Sequence, residues 1–113
     1  GAALEGLIVQ HVRAWNAYRG EKNSLTYWRT RSGSEVDIVL YGDDGLWALE
    51  VKNTTKIRPE DLRSLRSFQE DYPESVQVLL YRGTERLKIK GILCIPCAEF
   101  LQQLHPEKKR LVS

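Results

Sequence analysis

SGSEVDIVLYGDDGLWALEVK, residues 32–52, holds two apolar runs, EVDIVLY and LWALEVK, around a Gly-Asp-Asp-Gly turn. Both runs are short, rich in β-branched and aromatic residues, and bounded by Gly and Asp, which predicts the two strands of a hairpin. Each nevertheless carries charge in its interior: Asp37 in the first, Glu50 and Lys52 in the second. A hairpin centred on Asp43-Asp44 sets Tyr41 opposite Leu46, Asp37 opposite Glu50 and Glu35 opposite Lys52. Directly opposed residues have Cβ atoms about 4.5–5.5 Å apart. Alternation then gathers Glu35, Asp37, Glu50 and Lys52 on one face, with Trp47, Leu49 and Val51 on the other. Two carboxylates held so close repel unless a proton or a cation lies between them. Oxygen-only ligands of this kind suit Mg²⁺ or Mn²⁺ better than zinc. A plainer reading is a solvated face on which Glu35 and Lys52 balance their like-charged neighbours, and a bulge would shift the pairing altogether.

Outward from the hairpin, the chain alternates helical and extended patterns. Residues 2–18 place Leu4, Leu7, Ile8, His11, Val12, Trp15 and Tyr18 at helical spacing, with Glu5 at the flank of that stripe. His11 on such a face reads as a core histidine rather than a catalyst. Gly20 is suited to end the helix, and SLTYWRTR follows as a first strand. After the hairpin, Pro59 opens a second helix with Glu60 and Asp61 at its positive end. Leu62, Leu65, Phe68 and Tyr72 form its apolar face, and Pro73 stops it. SVQVLLY is apolar throughout, the pattern of a central strand covered on both sides. RLKIKG and GILCIP predict shorter strands, and CAEFLQQL a last helix packing Ala98, Leu101 and Leu104. The order is α-β-β-β-α-β, then smaller elements.

A chain of 113 residues suits one compact domain. Hydrophobic content of 42% and charged content of 28% fit a soluble globular protein, not a disordered or fibrous one. No apolar run reaches membrane-spanning length and no secretory signal pattern is present. The net charge of +2 is low for a dedicated nucleic-acid binder, so partner choice rests on where the charge sits. Lys56, Arg58, Arg63 and Arg66 follow the hairpin closely, and HPEKKRLVS ends in a basic cluster. Either can contact phosphates, and either can be a solvated surface. Cys94 and Cys97 form a C-x-x-C pair, but with no second pair His105 cannot complete a zinc site. They read as small buried thiols, in keeping with a reducing cytoplasm.

The element order, with Asp37 on the second strand and Glu50-Val51-Lys52 on the third, resembles the restriction-endonuclease-like nucleases, named for their Pro-Asp … Asp/Glu-x-Lys motif. Within them, SGSEVDIVL followed by ALEVK is similar to the C-terminal nuclease-fold domain of unknown function (DUF4143-like) of bacterial and archaeal AAA-type P-loop ATPases. The resemblance implies an α/β restriction-endonuclease-like core: a mixed sheet flanked by helices, with residues 1–113 as one domain at the C-terminal end of a longer ATPase. It implies Mg²⁺ or Mn²⁺ held by Asp37, Glu50 and the Val51 carbonyl. Lys52 would orient or activate the attacking water, and Glu5 would act through water or a second ion. The motif proline is Val36 here, and a Gln–Tyr pair of some relatives is matched loosely by Gln69 and Tyr72. DNA hydrolysis in the cytoplasm is the activity implied, with the ATPase in cis and a homodimer as possible partners. The alternative is a non-catalytic module for docking, dimerisation or regulation of the ATPase, since fold alone does not set function.

Overall fold

A computed structural model describes residues 2–112. Helix α1 (Ala2–Tyr18) leads into a meander of β1 (Asn23–Arg29), β2 (Glu35–Gly42) and β3 (Gly45–Val51). A 3₁₀ turn (Pro59–Leu62) and α2 (Arg63–Asp71) cross over to β4 (Val76–Tyr81). Strands β5 (Leu87–Ile89) and β6 (Ile92–Pro96) follow, then α3 (Cys97–Gln103). All six strands form one mixed sheet in the order β1-β2-β3-β4-β6-β5. β1, β2 and β3 pair antiparallel, whereas β3, β4 and β6 run parallel. The carboxyl ends of β3, β4 and β6 therefore share one edge with the amino end of β2, where open α/β sheets place their ligands.

The sheet is covered on both faces. Ile8, Val12 and Trp15 of α1 pack with Phe100 of α3 against Leu40, Leu49 and Leu80. Leu62, Leu65 and Phe68 pack on the other face against Val39, Ala48 and Leu79. Adjacent residues of β4 thus enter different cores, which is why that strand is apolar throughout. No helix among the described residues is long and apolar enough to cross a membrane.

The central hairpin has the predicted centre: Tyr41 pairs with Leu46, Leu40 with Trp47 and Ile38 with Leu49. Its turn is clamped from outside. Asp44 Oδ1 accepts from Arg19 at 3.0 Å, and the Asp44 N–H donates to Asn23 Oδ1 at 3.0 Å. Gly42 permits this close approach, because a Cβ there would stand 2.3 Å from the Lys22 carbonyl oxygen.

Beyond Ile38–Leu49 the pairing differs from the sequence expectation. Thr26 pairs with Val39 and Trp28 with Val36, so Tyr27 alone stands opposite Asp37 and Ile38. That is a β-bulge in β2. Val36 and Val39 consequently enter the same core, while Ile38 enters the opposite one. Asp37–Glu50 and Glu35–Lys52 are not ladder pairs, because the β2–β3 register stops at Ile38–Leu49. Glu35 instead pairs with Arg29 across β1, with an exposed ion pair of 3.1 Å.

Three further expectations are corrected. His11 is exposed and its Nδ1 lies 2.9 Å from the Leu7 carbonyl oxygen, so it is no core histidine. Leu7 and Tyr18 are also exposed, which leaves a narrower stripe of Ile8, Val12 and Trp15. On α3, Leu101 and Leu104 pack against the α1-side core as expected, but Ala98 is exposed and Cys97 and Phe100 are the buried residues. The C-terminal tail is packed, with Leu111 and Val112 buried in the α1-side core. The Lys108 carbonyl accepts from Trp15 Nε1 and Arg19 Nη1, each at 3.1 Å.

Candidate functional site

The β2–β3 ladder ends where the charged residues begin, and one contact explains how the two strands stay joined there. The Lys52 N–H donates to the Leu80 carbonyl of β4 at 2.9 Å, so alternation turns the Val51 N–H toward β2. On that side it meets no main-chain carbonyl. Asp37 Oδ2 accepts it instead, at 2.8 Å. The bulge carries the Asp37 carboxyl into the position that a strand carbonyl would otherwise occupy. In extended backbone the carbonyl of Val51 faces the same way as its N–H, into the gap between the strands.

Glu50, one residue earlier, is 5% exposed. Its Oε2 has no hydrogen-bond partner among the described residues. Burial pushes its carboxyl up to about 8; the Lys52 charge opposes the rise, and the charges of Asp37, Asp61 and Glu35 add to it. Asp37 is pushed up to about 6, again mainly by burial. The Val51 N–H holds it down, Glu5 raises it through charge and a hydrogen bond, and Lys52 lowers it. Glu5, in the first turn of α1, thus reaches the Asp37 carboxyl although its residue is exposed. Two carboxyl groups tolerate that approach only with a shared proton or a cation between them.

The structure therefore brings Glu5, Asp37, Glu50 and Lys52 into one electrostatic neighbourhood at the mouth between β2 and β3. Lys52 is the cation whose charge acts on both Asp37 and Glu50, against the negative charges of Glu5, Glu35 and Asp61. No three His, Cys, Asp or Glu side chains among the described residues form a closed metal-binding group. Any ion held here would draw on the Asp37 and Glu50 carboxyls together with the Val51 carbonyl, the main-chain oxygen that completes an all-oxygen set.

The remaining predicted residues are spread. Lys56 lines one hollow, Arg58 and Arg66 a second, and Arg63 a third that it shares with Arg66, Glu60 and Glu70; none of the three is lined by Asp37, Glu50 or Lys52. Tyr72 stacks on Phe68 in a groove with Trp28 and Tyr41, away from the mouth, which separates it from any role with Lys52. Cys94 and Cys97 are buried free thiols, and burial pushes Cys94 up to about 11. Sequence reasoning missed Asp61 and Arg82. Asp61 Oδ2 caps the 3₁₀ turn by accepting the Arg58 N–H at 2.8 Å, and its buried charge bears on Glu50. The spacing R-P-E-D was its available signal. Arg82 directly follows β4, with Nη1 donating to Asn53 Oδ1 at 3.1 Å.

Residues 1–100 match the domain of unknown function DUF4143. An uncharacterised protein of Mycobacterium tuberculosis, Rv2008c, and one of Mycobacterium bovis, Mb2031c, are each 28% identical over 102 residues. That span covers 89% of this chain but 22% of each relative, so the chain spans about a fifth of the length of the curated proteins it matches.

Proposed function

The chain belongs to the DUF4143 family, and from that premise we propose that it is a divalent-metal-dependent nuclease-fold domain that hydrolyses DNA phosphodiesters. Glu50 carries the reading: a carboxyl buried to 5% exposure, one oxygen without a partner among the described residues, in the field of the half-buried Asp37 carboxyl. An unpaired buried carboxylate costs several kcal/mol, and a purely structural role would be served better by an apolar or amide side chain. The donor set fits a hard cation, since Asp37, Glu50 and the Val51 carbonyl offer oxygen alone and Glu5 can act through water or a second ion. Such a cation supplies Lewis acidity at a non-bridging phosphate oxygen and lowers the pKa of bound water.

The chain's own residues do the rest. Asp37 holds two tasks, closing the strand gap through Val51 and offering its second oxygen to the site. Lys52, whose charge already acts on both carboxyls, orients the attacking water and offsets charge that builds on the phosphate. The same reading takes the αβββαβ order as a restriction-endonuclease-like core. It places an AAA-type ATPase in cis, in the length by which the relatives exceed this chain.

Single- and double-stranded DNA incubated with the chain and Mg²⁺ or Mn²⁺ tests the proposal. Cleavage is expected, and Glu50→Gln and Lys52→Ala should each abolish it. Retained cleavage in both variants overturns it. DNA binding without cleavage by the unaltered chain transfers it to the second reading, a non-catalytic docking or regulatory module.

A further inference from the structure

A groove opens beyond the ends of β3 and β4, between residues 55–57 and 81–85. One hollow of about 500 Å³ is lined by Lys56, Arg82, Thr84 and Glu85 together with the apolar Ile57, Leu87 and Ile89 and the ring of Tyr81. A second, of about 120 Å³, shares Ile57 and Ile89 with it and adds Arg58, Arg66 and Lys90. The two adjoin through that shared lining, where five cations, Lys56, Arg58, Arg66, Arg82 and Lys90, face one carboxylate, Glu85. Lys56, Arg66, Arg82 and Lys90 form no ion pair with a carboxylate among the described residues, whereas Arg58 lies 3.6 Å from Glu60.

Lys90 adds an independent observation. It is the first residue of the two-residue Lys90-Gly91 turn between β5 and β6, at φ 51° with Gly91 at φ 83°. Turns with two positive φ angles favour Asn, Asp or Gly at the first position, and a lysine there is strained. The turn thus keeps a cation on the groove at a position whose backbone prefers another residue.

The geometry points to single-stranded nucleic acid as the occupant of this groove, with phosphates along Lys56, Arg82 and Lys90 and base faces on Ile57, Leu87 and Ile89. This rests on the nuclease reading and deepens it by naming the form of substrate. The charge selects a polyanion. The apolar lining favours unstacked bases through burial of their faces, which are free in a single strand and covered in a duplex. Asn53 joins groove to site, because it follows Lys52 directly and accepts from Arg82. A strand in the groove is thereby led toward the carboxyl pair.

Fluorescence anisotropy with a labelled oligo-dT of about twelve nucleotides, in EDTA, separates binding from cleavage. The unaltered chain should bind the single strand more tightly than a duplex of equal length. The triple variant Lys56→Ala/Arg82→Ala/Lys90→Asn should weaken it about tenfold and flatten its log–log salt slope by about 2, at about 0.7 per lost phosphate contact. Lys90→Asn alone should raise the melting temperature while weakening binding, a combination that a merely structural turn lysine does not give. Lys109→Ala, at an exposed position outside both hollows, should bind as the parent does. Equal binding by the triple variant, no binding by the parent, tighter binding of duplex, or equal competition by polyglutamate each overturn the inference. Binding that persists without metal-dependent cleavage leaves the groove standing and removes the catalytic reading. Cleavage that the triple variant leaves untouched does the reverse.

Discussion

The carboxyl of Asp37 accepts the main-chain N–H of Val51 at 2.8 Å, standing in for a strand carbonyl at the point where the β2–β3 ladder ends. A residue read from the sequence as a metal ligand is therefore also a structural acceptor, and the two roles separate by substitution. Asp37→Asn keeps an oxygen for Val51 and should leave stability in EDTA equal or slightly higher. Asp37→Ala orphans the donor and should cost about 1–3 kcal/mol in denaturant unfolding. Equal stability of the two variants would falsify the structural role.

Stability should fall as pH rises in the absence of metal. Glu50 is raised from 4.5 to about 8 and Asp37 from 3.8 to about 6, so between those values the folded chain binds more protons than the unfolded chain. Unfolding then releases protons, and the folded state loses ground with rising pH, up to about 6 for Asp37 and about 8 for Glu50. Urea unfolding between pH 5 and 8.5 checks this, with Glu50→Gln expected to flatten the profile and gain on the order of a few kcal/mol at the alkaline end. A profile that rises over this range sinks the idea.

Mn²⁺ or Mg²⁺ should raise the melting temperature of the unaltered chain, because an ion that binds only the folded state stabilises it by about 2.7 kcal/mol at a hundredfold excess over its Kd. Asp37→Asn and Glu50→Gln should lose that gain. Calorimetric melts with and without metal measure it, and an unchanged parent melt argues directly against a metal centre.

Lys52→Ala should keep the metal-induced gain in melting temperature yet lose turnover by about 10²–10⁴-fold. The lysine is assigned to water and phosphate rather than to the ion. Loss of the melting gain in this variant would move Lys52 into the binding set instead.

The C-terminal tail should matter for stability and not for DNA. Leu111 is 1% exposed within the α1-side core, so Leu111→Ala should cost about 2–5 kcal/mol. Lys109→Ala, at an exposed position, should leave stability and oligonucleotide affinity unchanged. Circular dichroism melts and the anisotropy measurement read both.

By itself the sequence determined what depends on neighbours along the chain. The hairpin centre at Asp43-Asp44, the element order, the all-apolar β4 and the Pro59 turn follow from period-2 or period-3.6 patterns and turn chemistry, which are local. It also singled out Asp37, Glu50 and Lys52, because charge inside an apolar strand is a local conflict. Tertiary structure alone decided the bulge at Asp37-Ile38, since a two-against-one pairing depends on how β1 meets β2 across the distant Thr26–Trp28 segment. The bulge turned Asp37 from an opposed partner of Glu50 into the acceptor for Val51, while Glu50 Oε2 stays buried with no partner among the described residues. The tail's burial, the exposure of His11 and the joining of Arg82 and Lys90 into one groove arise the same way. Each is set by which surfaces the packed sheet leaves open, and no window of sequence contains that information.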